Sequence, residues 1–311
     1  MTLTQVTHSA EVSAPASEVY RIISDVTSWP LHFPPTLHAE RIAAEGDTER
    51  IRIWALANGE PRTWVSTRRL DPRGLVIEFA QTEPRDPVAA MSGTWRITER
   101  TDGTCTVRLD HAYRAVGDAP EALERIARAV DTNSEAELAS LKRAAESAAD
   151  FPVLHLEFED SEVIAGSPAE AYDFLCDAAR WADRLSHVER IVLKEETPGL
   201  QFMEMDTRSP DGSVHTTTSG RVCVPTSRIV YKQVRLPKVL RSHTGEWRFE
   251  ALPAGRVQVT SRHSVIIDPE AVAALPDPPP SLDAARAAVR NALGANSRAT
   301  LATAKAHIES R

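Results

Sequence analysis

A series of residues in the first half of this 311-residue chain returns in the second half, in the same order and at nearly the same spacing. Ser17-Glu18-Val19-Tyr20, Asp25 and Trp29 recur 152 positions on as Ala169-Glu170-Ala171-Tyr172, Asp177 and Trp181. His38-Ala39-Glu40-Arg41-Ile42 returns as His187-Val188-Glu189-Arg190-Ile191, and Ser92-Gly93-Thr94-Trp95-Arg96-Ile97 as Thr244-Gly245-Glu246-Trp247-Arg248-Phe249. His111 pairs with His263, and Asn133-Ser134 with Asn296-Ser297. An ordered set of this length reads as a duplication, so the chain must adopt one fold twice, each copy burying its own core. A helical pattern ends near Ala148-Ala149 and a strand pattern starts at Val153, which places the boundary near 150 and gives domains 1–150 and 151–311.

Within each half the hydrophobic period changes from helix to strand and back. A strand-like alternation (Gln5 to Val12; Leu154 to Val163) precedes a helix whose Val19, Ile22, Ile23 and Val26 form one apolar face. From about His38 to Ala115, β-branched alternating segments are separated by turn signals at Glu45-Gly46-Asp47, Asn58-Gly59, Asp71-Pro72-Arg73-Gly74 and Asp102-Gly103, the pattern of successive hairpins. Long helices are expected over roughly Pro120 to Ala148 and Ser281 to Glu309, the first with Leu123, Ile126, Val130, Leu141 and Ala148 in one stripe. The expected fold class is α+β: two tandem domains, each a curved seven-stranded antiparallel sheet wrapped around its long C-terminal helix, with an interior cavity.

Composition excludes several functions. A formal charge of −8 with no basic tract argues against nucleic-acid binding. Three cysteines without a C-x-x-C pair suggest neither a disulfide framework nor a zinc ribbon and suit a reducing cytoplasm. No signal-peptide pattern or long apolar run points to secretion or a membrane. H-E-x-x-H, G-x-S-x-G and phosphate-cradling glycine loops are missing from the sequence, so no metal and no cofactor is expected.

The candidate chemistry lies on strands. The two-residue period puts Trp64, Ser66 and Arg68 on one face, and Thr217, Ser219 and Arg221 hold the matching places in the second half. On a concave face Arg68 enters an apolar cavity; on the convex face it is simply wet. His111 alternates with Cys105, Val107, Leu109 and Tyr113, so it lies on the apolar face, as does His263 among Val257, Val259 and Val265. Each is either a satisfied core histidine or an acid/base group. Trp29, Trp95, Trp181 and Trp247 line a cavity or fill the core, Asn133 and Asn296 fall at the edges of their helical stripes, and His32-Phe33 reads as a loop at a cavity mouth.

With Ser28-Trp29-Pro30, Phe33, the Trp64–Arg68 segment, Trp95 and Asn133 in this order, and the whole duplicated, the chain resembles the di-domain aromatase/cyclases of bacterial aromatic (type II) polyketide synthesis, which are built from START-like helix-grip domains. The resemblance implies a polyketide cyclase/aromatase acting on a poly-β-ketone tethered to an acyl carrier protein. It implies first-ring C7–C12 aldol closure of a chain reduced at C9, followed by dehydration, with the ketoreductase and ketosynthase of the same synthase as neighbours. Carried over by position, Arg68 and Ser66 are central, and Trp29, Phe33, Trp64, Trp95 and Asn133 line the pocket. Ser219, Arg221, Trp247, His263 and Asn296 are their second-domain counterparts. Monodomain relatives carry a pocket tyrosine where this chain has Thr36, which favours His111 as the acid/base group. Because Trp64 becomes Thr217, the first half is the better candidate for catalysis. The alternative is a non-catalytic START-like carrier of an apolar ligand.

Overall fold

The computed structural model describes residues 3–208 and 212–310. It divides into two compact units, Met1–Phe151 and Pro152–Arg311. The first runs β1 (Thr4–Val12), α1 (Ala16–Ser24), α2 (Trp29–His32), β2 (Thr36–Glu45), β3 (Thr48–Ala57), β4 (Glu60–Asp71), β5 (Val76–Gln81), β6 (Val88–Glu99), β7 (Cys105–Ala115) and α3 (Pro120–Glu146). After the short α4 (Phe151–Leu154), the second repeats the order: β8 (His155–Ala165), α5 (Pro168–Cys176), α6 (Trp181–Arg184), β9 (Val188–Thr197), β10 (Leu200–Arg208), β11 (Val214–Val224), β12 (Arg228–Arg235), β13 (Leu240–Leu252) and β14 (Arg256–Ile267). A one-turn α7 (Pro269–Ala273) then leads to α8 (Leu282–Glu309).

Each unit has one seven-stranded sheet, ordered β1-β7-β6-β5-β4-β3-β2 and β8-β14-β13-β12-β11-β10-β9. Every neighbouring pair is antiparallel, and the first strand of each unit closes against the last. The hairpin turns fall at the expected signals. Asn58 (φ 52°) and Gly59 (φ 78°) supply the two positive-φ positions that a tight β3–β4 connection needs. Helix starts are equally local in origin: Ser167 and Glu170 cap each other's backbone at α5, and the Ser281 hydroxyl accepts from Ala284 N at α8.

The long helices cover the concave faces. Ala122, Ile126, Val130, Leu138, Leu141 and Ala145 form the buried stripe of α3, against β1 and β7. Helix α3 ends at Glu146, before Ala148, because Ser147 leaves helical geometry (φ −105°, ψ 17°) and its hydroxyl caps Arg143 O. Leu123 is only partly buried, at the side of the stripe. His32 does not lie in a loop as expected: Trp29-Pro30-Leu31-His32 forms α2, started by Pro30 at an N-terminal position that needs no amide hydrogen.

Strand register places the chemistry-bearing side chains. Glu49, Arg68, Phe79, Gly93, His111 and Val6 are consecutive partners across β3, β4, β5, β6, β7 and β1, so they form a single row on one face. The second unit has the equivalent row Gln201, Arg221, Tyr231, Gly245, His263 and Phe158. The glycine is required in both. A methyl group at Gly93 would overlap the Phe79 ring, and one at Gly245 would overlap the ring and hydroxyl of Tyr231.

Candidate active site

Arg68 is buried, with 1% of its surface exposed, and Ser66 beside it is also buried, so this face of β4 points inward. The guanidinium is held on several sides. Its Nε lies 3.3 Å from Glu49 Oε1, its Nη2 donates to Ser24 O at 3.2 Å, and its carbon sits 5.1 Å from the centre of the Trp29 ring. Trp29 is itself fixed, its indole N–H donating to Ile23 O at 3.1 Å. The Nη1 group of Arg68 has no hydrogen-bond partner. Burial pushes the Arg68 pKa down to about 10, with Glu49 opposing the shift, so the group stays cationic at neutral pH.

Besides the hydroxyl and the indole expected beside it, Arg68 has a carboxylate, Glu49, which it shares with Arg41. Glu49 was not singled out in the sequence, although a signal existed. It alternates with Ile51 and Ile53 on β3, which places a carboxylate on an apolar face. Trp64 and Trp29 both pack against the cluster of Val26, Ala39, Ile51, Ile53 and Ala55. Phe33 and Trp95 are members of the main apolar cluster. Asn133 donates from Nδ2 to Leu56 O at 3.1 Å and so ties α3 to β3. Thr36 opens β2 and is buried.

His111 stands at the other end of the row, its ring 5.4 Å from Phe79 in an edge-on contact. Its Nδ1 is buried without a partner, and burial lowers its pKa to about 4. It is therefore a neutral imidazole at physiological pH.

In the second unit the same positions are better satisfied. Arg221 donates from Nη1 to Gln201 Oε1 (2.7 Å) and from Nη2 to Leu175 O (2.6 Å), with its carbon 4.9 Å from the centre of the Trp181 ring. Gln201 thus replaces the carboxylate of Glu49. Ser219 is buried, and Trp247 belongs to the main apolar cluster. Asn296 does not line a pocket: it is exposed, and the neighbouring Ser297 faces inward. One residue is about 100° of helix, so a position at the edge of a stripe is decided by the exact rotation of α8.

Ser297 joins a network that sequence reasoning missed. His263 Nε2 lies 2.6 Å from Ser297 Oγ and 3.3 Å from Ser261 Oγ. Its Nδ1 lies 2.9 Å from His243 Nε2 and 3.2 Å from the Tyr231 hydroxyl, while the ring stacks on Phe158 at 4.8 Å. Burial lowers the pKa of His263 to about 4 and that of His243 well below its usual value, and raises that of Tyr231. A separate cleft of about 460 Å³, with Cys176, Gln201, Phe174, Arg184, Glu195 and His307 in its wall, opens at the end of α5.

The sequence pattern described as "Polyketide cyclase / dehydrase and lipid transport" matches residues 4–146 and again 155–309, one match per unit. The chain belongs to the polyketide cyclase/dehydrase family. This cyclase/dehydrase is 42% identical over 305 residues to the granaticin polyketide synthase bifunctional cyclase/dehydratase of Streptomyces virginiae, covering 97% of this chain and 99% of the relative. It is 39% identical over 312 residues to the actinorhodin polyketide synthase bifunctional cyclase/dehydratase of Streptomyces coelicolor, covering 97% and 96%. Among solved structures, the di-domain ARO/CYC BexL of the BE-7585A biosynthetic pathway superposes with a TM-score of 0.87 at 48% identity, over 99% of both chains. StfQ, the di-domain ARO/CYC of the steffimycin pathway, gives 0.81 at 35% identity, over 98% of this chain and 99% of that one. The tandem START-like architecture of this cyclase/dehydrase is therefore that of the di-domain group. No helix among its described residues is long and apolar enough to cross a membrane.

Proposed function

We propose that this chain is the cyclase and dehydratase of a type II polyketide synthase. It takes a poly-β-ketone tethered to an acyl carrier protein and already reduced at C9, directs the first-ring C7–C12 aldol closure, and expels the C7 and C9 hydroxyls as two waters to leave an aromatic ring. The observation that carries the reading is the match over both units, end to end, to relatives named as bifunctional cyclase/dehydratases. The C7–C12 regiochemistry and the carrier-bound substrate rest on the resemblance to the di-domain group.

Methylenes flanked by two carbonyls are acidic already, so the main task is choosing which carbon meets which carbonyl, and a shaped wall such as Trp29 and Trp64 does that by holding one near-attack conformer. The enolate attacks the carbonyl carbon, a C–C bond forms, and the negative charge moves to the former carbonyl oxygen. Arg68 is a permanent cation with an unspent Nη1 donor, and such a donor is worth about 3 kcal/mol when aimed at a developing oxyanion. Ser66 offers a hydroxyl on the same face, and neutral His111 a second unpaired nitrogen at the far end of the row.

The test is reconstitution with a minimal synthase, its ketoreductase and carrier protein. Addition of this chain should redirect the products to the first-ring aromatic compound. An unchanged product profile overturns the reading and leaves the non-catalytic apolar-ligand carrier in its place.

A further inference from the structure

The two rows share a scaffold and differ where a proton would travel. At a constant offset of 152, Phe79, Met91 and Leu109 of the first unit are replaced by Tyr231, His243 and Ser261 in the second. The three changes converge on one residue, because all three newcomers lie within hydrogen-bond distance of the His263 ring. His111, the counterpart of His263, has only the Phe79 ring in the corresponding place. Phe79 and Tyr231 stand opposite Gly93 and Gly245 at the same row position, and their side chains differ by one hydroxyl.

Burying this many polar atoms is costly unless each is paired. Within the network one atom is left over. His243 is 1% exposed, and its Nδ1 has no partner. A buried unpaired nitrogen carries an unrecovered desolvation cost, which a ligand hydroxyl or enol offsets by pairing with it. Burial also keeps both imidazoles neutral, so a proton entering at His243 Nδ1 has to be matched by one leaving Nε2 toward His263, with no imidazolium formed.

We infer that the second unit is the dehydration site, where His243 Nδ1 takes the α-proton of the ring-closed β-hydroxyketone while its Nε2 releases one to His263 Nδ1, and the Tyr231 hydroxyl, re-protonated through His263, gives a proton to the departing hydroxyl. The Cα–H and Cβ–O bonds break, a C=C bond forms, and proton and hydroxide leave as one water, so neither oxidant nor reductant is needed. His243 and the Tyr231 hydroxyl, the two ends of the chain, meet the substrate; His263 acts through them as a positioning residue. The inference rests on the cyclase/dehydratase reading and adds a division of labour to it, with the charge pair of Arg68 serving ring closure.

The experiment uses the full chain with the reconstituted synthase, and the variants Tyr231→Phe and His243→Met, which install the first unit's residues. The readout is the ratio of cyclised hydroxy products, heavier by one or two waters, to aromatic product, alongside thermal melting. Tyr231→Phe removes one oxygen from a site already shaped for phenylalanine and should lower the melting temperature by no more than about 4 °C. Expected is at least a roughly tenfold rise in the hydroxy-to-aromatic ratio with the ring position unchanged. An unchanged ratio in Tyr231→Phe, or equal loss of both products, overturns the relay while sparing the cyclase reading. A wild-type chain that leaves the synthase's products unaltered overturns both.

Discussion

Arg68 and Arg221 occupy the same row position with different partners, and that difference predicts different consequences of removal. Arg68→Ala should abolish the directed first-ring product, a loss of about 100-fold in turnover by product analysis, because the unspent Nη1 donor goes with it. Arg221→Ala should cost less activity and more stability, since it strands the Gln201 oxygen and Leu175 carbonyl that the guanidinium now satisfies. Glu49→Ala leaves the Arg68 cation buried without its counter-ion and should lower the unfolding free energy by about 3 kcal/mol in urea titrations. Glu49→Gln should be far milder, because the second unit already runs on glutamine at this position. Cys176 offers a pH test at the cleft. Hydrogen bonding with Cys223 and with Tyr172, with Arg221 nearby, lowers its pKa to about 6 against an opposing burial penalty. Iodoacetamide labelling of Cys176 should therefore stay fast down to about pH 6, where ordinary thiols have lost their thiolate, while the buried Cys105 and Cys223 stay protected.

At the level of elements, the row exists because seven antiparallel strands keep one register, and the β5–β6 and β12–β13 pairs hold it with a glycine opposite an aromatic ring. Gly245→Ala should destabilise the second unit by about 1–3 kcal/mol in thermal or urea unfolding, since the new methyl overlaps Tyr231. Adding Tyr231→Val should recover part of that loss by clearing the space; equal instability in the double variant would show that the glycine serves the backbone alone. These elements were legible from alternation and turn chemistry, which are local properties: Asn58-Gly59 announces its hairpin whatever lies beyond it. The network around His263 was not, because its members come from β12, β13, β14 and α8 and meet only once register and helix rotation are set. The burial of Arg68 lay between these cases. Period two gave its face partners, and only closure of the sheet decided which face was inside. Comparison of the halves at a fixed offset held one further signal, the exchange of Phe79, Met91 and Leu109 for three hydrogen-bonding residues.

For the whole molecule, the histidines set an acid limit. His111 and His263 have pKa values lowered by burial to about 4, and that of His243 is lowered well below its usual value, against about 6.5 in an unfolded chain. Between those values the unfolded chain binds more protons than the folded one, so stability is fully present above pH 6.5 and falls as the pH drops toward 4. Each of the first two histidines should cost up to about 3 kcal/mol over that range. Melting temperatures measured between pH 7.5 and 4.5 should show the fall, and His111→Leu, with no site to protonate there, should remove that residue's share and leave the share of His263 and His243. The duplicated glycine has a consequence of another kind. Gly93 faces the Phe79 ring as Gly245 faces Tyr231, so the first unit presents a ring at the row position where the second presents a phenol. Phe79→Tyr with Met91→His and Leu109→Ser would copy one half's wiring into the other, turning an ancient gene doubling into a ready-made template for building a second working copy inside a single chain.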